Sequence, residues 1–124
     1  MTILNVTERE RQLVKDYLLL PIMLDVLERD IAAIGRVKLK FPNLYTAILR
    51  SAQDAITTEL HGIRKVFRHA GIKVYDEIRT KEGIEAKYLC RGYEHSMMML
   101  WELVKVECEI RLAELLGVRL RAPE

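Results

Sequence analysis

The chain has 124 residues, enough for one domain with its own core; half of them are apolar and 31% are charged, which excludes a disordered or fibrous chain. Twenty basic and 18 acidic residues leave a net charge of +2, too near balance to mark a nucleic-acid coat or a membrane-surface binder, so no membrane is expected among the partners. Two cysteines, Cys90 and Cys108, make no disulfide framework, and the first residues, MTILNVTERERQ, are too acidic and polar for a secretory leader, so a reducing, cytoplasmic setting is expected.

The first element is a helix. Thr7 followed by Glu10 is a capping-box signature, and Leu13, Tyr17, Leu20, Leu24, Leu27, Ile31 and Ile34 follow at alternating spacings of four and three. This predicts a helix over residues 8–34, closed by Gly35 and kinked at Pro21, where one backbone hydrogen bond is lost. Residues 36–42 form a connector in which Val37, Leu39 and Phe41 alternate with Arg36, Lys38 and Lys40; Pro42 and the short length favour a packed loop over a strand. Asn43 is a fitting cap for a second helix to about residue 70, with the stripe Tyr45, Leu49, Ala52, Ile56, Ile63, Val66 and Ala70 and a closing Gly71. Glu59 is the one carboxylate in that stripe; it is expected either to pair with an arginine from another helix or simply to be exposed at the stripe's edge.

Alternation then changes to period two. Ile72, Val74 and Ile78, and then Ile84, Ala86, Tyr88 and Cys90, alternate with polar residues about the turn Thr80-Lys81-Glu82-Gly83, which predicts a two-stranded hairpin over residues 72–91 with one apolar face. The last segment, residues 95–116, fits a helix with two opposite apolar stripes. One stripe is Met97, Trp101, Val104, Cys108, Leu112 and Leu115; the other is Met99, Leu103, Val106, Ile110 and Ala113. The expected fold is therefore mainly α: one domain over residues 1–124, with three long helices packed as a bundle and a small two-stranded antiparallel β-hairpin between the second and third.

A helix with two apolar stripes needs cover on both sides, from its own chain or from a second copy. A homodimer through this helix is expected, with Met98, Met99, Trp101, Leu103, Val106 and Ile110 as the oligomer or partner interface. The turn around Arg91, Tyr93 and His95 is the densest polar–aromatic cluster and a candidate corner for a ligand or partner. Cys90 and His95 would make a reactive thiolate–imidazole pair if they met, against the simpler reading of a core cysteine. The three histidines and two cysteines have no metal-ligand spacing, and no glycine-rich loop suits a phosphate, so no metal, cofactor or catalytic residue is expected and the chain is read as a non-enzyme.

The function expected from this pattern is a regulatory or adaptor protein acting through protein–protein contacts, with itself and with another protein as partners. The alternative is a DNA-binding regulator. A basic helix end followed by a hairpin matches a winged-helix reader in element order, with Arg64, Lys65, Arg68, Lys73, Arg79 and Lys81 as the nucleic-acid contacts.

Overall fold

A computed structural model of the chain describes residues 6–121. The elements in order are α1 (Glu8–Ile34), α2 (Pro42–Ala70), β1 (Ile72–Arg79), β2 (Gly83–Cys90), β3 (Tyr93–Leu100) and α3 (Trp101–Leu116). The strands form one antiparallel sheet in the order β1-β2-β3. The expected three-helix bundle with a two-stranded hairpin is thus corrected: residues 93–100 are a third strand, and the last helix starts six residues later than its apolar spacing suggests.

Local chemistry explains most of the boundaries. The Thr7 side chain accepts from the Glu10 backbone N–H at 3.0 Å, and the Glu10 carboxylate accepts from the Thr7 N–H at 3.1 Å, so the reciprocal box opens α1. α1 then runs unbroken through Pro21. The proline removes one bond from a 27-residue ladder, while buried Leu18, Leu19, Leu20 and Met23 on either side of it hold both halves on the core. The cap of α2 lies two residues earlier than expected, with Phe41 at the cap position, Pro42 first in the helix, and no capping side chain; Asn43 lies inside the first turn.

The third strand arises at a two-residue turn. Arg91 and Gly92 have φ of 51° and 89°, the paired positive values of a tight hairpin with a type I′ backbone. Glycine reaches that region freely; Arg91 is held there by its side-chain bonds, described below. β3 then pairs with β2 in an unbroken register from Cys90↔Tyr93 to Gly83↔Leu100. Gly83 is needed where the two strands close, since a Cβ there would sit 2.1 Å from the Met99 carbonyl oxygen.

The sheet lays one face on the helices. Tyr88, Ala86 and Ile84 point inward with their partners His95, Met97 and Met99. A bulge between Val74 and Asp76 shifts the parity of β1, so Ile78 pairs with Glu85 and is exposed rather than sharing the inner face with Val74. One core cluster joins Leu18, Met23 and Leu27 of α1, Ile56, Leu60 and Phe67 of α2, Ile84 and Tyr88 of β2, Met99 of β3, and Val104 and Cys108 of α3.

Candidate functional site

α3 is anchored across the α1–α2 hairpin by charge. Arg111, on the inner side of α3, donates to Asp16 Oδ1 of α1 at 2.6 Å and also to Glu59 of α2. Gln12 Nε2 donates to the same Asp16 oxygen at 3.0 Å, and Lys15 pairs with Glu107 beside it. Asp16 is buried, and a single guanidinium is shared between it and the partly exposed Glu59, so the three groups together keep one negative charge. Both carboxylates push the Arg111 pKa upward against the opposing effect of burial. Glu59 therefore does meet an arginine from another helix. Asp16 gave no comparable sequence signal, because it sits beside the apolar stripe of α1 rather than in it.

This clamp fixes which faces of α3 are covered. Val104 and Cys108 are buried, and Trp101, Leu112 and Leu115 are partly buried against the core. Trp101 also closes the sheet onto the helix: its Nε1 donates to the Thr80 carbonyl at 2.8 Å and its backbone N–H to that of Glu82 at 3.1 Å. The opposite stripe, Leu103, Val106 and Ile110, is exposed, Val106 by 54%, and Leu100 and Met98 of β3 are exposed as well. At helical spacing, Glu102, Lys105 and Glu109 flank that stripe on one side and Glu107, Arg111 and Glu114 on the other, so its rim is mixed with an excess of acid, and Glu107 is already paired with Lys15.

The six interface residues expected from sequence thus divide. Leu103, Val106 and Ile110 share one open helical face. Met98 is exposed on the outer face of β3 and Met99 is buried beneath it, because both belong to a strand and point to opposite sides. Trp101 is turned inward.

The expected corner at Arg91, Tyr93 and His95 is a structural joint. The two guanidinium nitrogens of Arg91 each donate to one Glu10 oxygen at 2.9 Å, and Nη1 also donates to the Ala70 carbonyl at 3.0 Å. The Arg91 backbone N–H donates to the Gly71 carbonyl at 2.8 Å. The β2–β3 turn, the start of α1 and the end of α2 are tied at one point. Arg91 and the Thr7 bonds hold the Glu10 carboxyl at about 2, well below its usual 4.5. Tyr93 is exposed. His95 stacks on Tyr88 with ring centroids 5.4 Å apart, and among the described residues neither His95 Nε2 nor the Tyr88 hydroxyl has a hydrogen-bond partner. Cys90 is level with Tyr93, not His95, in the strand register, and burial pushes its thiol pKa up, so the arrangement does not activate it as a nucleophile.

The six cations of the nucleic-acid alternative are all exposed, but they fall into two groups. Arg64, Lys65, Arg68 and Lys73 lie at the junction of α2 and β1, whereas Arg79 and Lys81 lie at the far end of β1, about 25 Å away along an eight-residue strand. Among the described residues no three His, Cys, Asp or Glu side chains converge to hold a metal ion, and no helix is long and apolar enough to cross a membrane.

The fold is a long helical hairpin that carries a three-stranded meander and a final helix with an open apolar face. The sequence pattern of the family described as YhjD protein matches residues 5–120, so the chain belongs to that family. No curated protein and no solved structure matches the chain.

Proposed function

We propose that this chain is a non-enzymatic regulatory or adaptor module that works through protein–protein contacts, self-associating as a homodimer across the outer face of α3 in a reducing, cytoplasmic setting. The observation that carries the reading is the exposed stripe Leu103, Val106 and Ile110 on a helix whose other stripe is already committed to the core. An amphipathic surface helix has polar residues there.

The surface area supports it. The chain exposes 8777 Å², against about 6,900 Å² for a compact monomer of this mass. Part of that excess is the exposed α1–α2 tip; the excess is more than the roughly 600–1,000 Å² that each partner loses in a stable pairwise interface. In a two-fold pairing of α3 with its copy, the three apolar side chains supply the buried centre and the glutamates remain at the solvated rim. The rim carries more glutamates than cations, so its net charge opposes association weakly and salt relieves it.

Sedimentation velocity on the wild-type chain and on Val106→Asp tests the reading. The wild type is expected to sediment as a dimer at micromolar concentration and the variant as a folded monomer with an unchanged far-ultraviolet spectrum. A wild-type monomer at tens of micromolar would overturn it. No observation favours the nucleic-acid alternative over this reading, since the geometry separates its two basic groups.

A further inference from the structure

The connector between α1 and α2 is uncovered: every residue from Gly35 to Tyr45 is exposed. Its apolar side chains Val37, Leu39 and Phe41 stand in solvent, Phe41 by 62%, and Leu44, Tyr45 and Ile48 continue the patch onto the first turns of α2. Arg36, Lys38 and Lys40 alternate with them. The sequence has no carboxylate between Asp30 and Asp54, and four cations stand in that interval. One of the four, Arg50, lies 3.8 Å from Glu28; among the described residues Arg36, Lys38 and Lys40 make no ion pair. With +4 in this interval and +2 overall, the rest of the chain carries −2. α2 also starts here with no capping side chain and no acid in its first turn, so the positive end of its dipole faces the same way.

We propose that, against the expectation drawn from the total charge, this tip docks the protein on an anionic lipid surface. The side chains of Val37, Leu39, Phe41 and Leu44 enter the boundary between headgroups and acyl chains, while Arg36, Lys38 and Lys40 stay level with the lipid phosphates. A projecting tip suits a deformable surface, and alternation of cations with apolar groups lets each reach its own depth. Phe41 and Tyr45 are residue types that settle at a membrane–water boundary. Glu28, Asp30 and Asp54, where the helices leave the tip, limit how deep it goes. The acid-rimmed face of α3 is repelled by the same surface and turns away from it. This contact is separate from the α3 pairing and stands or falls without it.

Flotation of the full-length protein with phosphatidylcholine vesicles, with and without phosphatidylglycerol, tests the proposal. Retention is expected only on the vesicles that contain phosphatidylglycerol, and it is expected to fall as salt is raised. The double substitution Lys38→Glu, Lys40→Glu should weaken retention by more than about tenfold, since each basic side chain contributes to attraction near an anionic surface. Phe41→Ser should weaken it at low and high salt alike. All three positions are exposed, so circular dichroism should be unchanged. The proposal is overturned if the wild type does not float with anionic vesicles, or if the double variant floats as well as the wild type. It is also overturned if the tip variants lose self-association, which assigns the tip to a second copy, or if the tip captures duplex DNA and no vesicle.

Discussion

The outer face of α3 and the α1–α2 tip both expose ordered apolar side chains, yet they are framed by opposite charge. Four glutamates, 102, 107, 109 and 114, outnumber Lys105 and Arg111 beside Leu103, Val106 and Ile110, whereas Arg36, Lys38 and Lys40 interleave with Val37, Leu39 and Phe41 with no acid among them. The α3 face is a helical stripe tied from behind by the Arg111 clamp; the tip is a loop in which every residue from Gly35 to Tyr45 is exposed. Apolar exposure alone says that a surface awaits a partner. The charge around it and the shape beneath it say which kind, and a near-neutral total charge conceals that the two regions differ.

The largest effect is expected from removing the support of one region only. Arg111→Ala leaves Asp16 and Glu59 facing each other without a cation and should cost about 3–5 kcal/mol in denaturant unfolding. Arg111→Lys should recover only part of this, because one ammonium does not reproduce a guanidinium that bonds two carboxylates in fixed directions. If Arg111→Ala unfolds no more readily than wild type, the clamp does not hold α3 and the contrast between a rigid face and a free tip fails.

The next effect separates interface from core within α3. Ile110→Asp should weaken dimerisation by about a hundredfold or more, measured by sedimentation, while changing monomer stability by under about 1 kcal/mol. Val104→Asp, six residues earlier in the helix but buried, should instead prevent folding. Equal behaviour of the two variants would mean that both stripes of α3 are core.

A smaller effect concerns the joint that fixes the sheet to the start of α1. Glu10 is held at about 2 by Arg91 in the folded chain against 4.5 ordinarily, so the stabilisation it gives is complete above pH 4.5 and is lost as pH falls towards 2. Glu10→Gln should lower thermal stability at pH 7 and flatten its fall between pH 5 and pH 2, as followed by circular dichroism. Smallest of all should be Phe41→Ser, expected to change unfolding free energy by no more than about 0.5 kcal/mol, because the side chain gives up little burial. A large loss of stability there would show that the tip is covered in solution.

Much of the framework is legible in the residues. The Thr7–Glu10 box, Gly35, Gly71 and the change from helical spacing to alternation at Ile72 mark both long helices and the first two strands. The third strand is hidden because residues 93–100 satisfy both periods: Met97 and Met99 lie on the inner face of a strand and equally fit opposite stripes of a helix. The turn that separates the strands gives a weak signal, since Arg91 occupies a positive-φ position usually taken by asparagine or glycine, and it does so by virtue of bonds to Glu10 and Ala70 that lie far away in sequence. Nor does a capping residue mark the start of α3, where Leu100 stands at the cap position. Glu59 announces itself as a carboxylate in an apolar stripe, whereas its companion Asp16 is apparent only once α3 is laid across α1. The alternation at 36–41 is plain, but its exposure is not, because nothing in that stretch tells how far the helical hairpin reaches past the sheet and α3.

The most direct test of the α3 interface is sedimentation equilibrium of the wild-type chain at low and high salt, with Val106→Asp alongside. The account predicts a wild-type dimer that tightens as salt screens the glutamate rim, and a variant that is monomeric at both salts. A wild-type chain that stays monomeric at tens of micromolar at both salts, or a dimer that survives Val106→Asp, would contradict it.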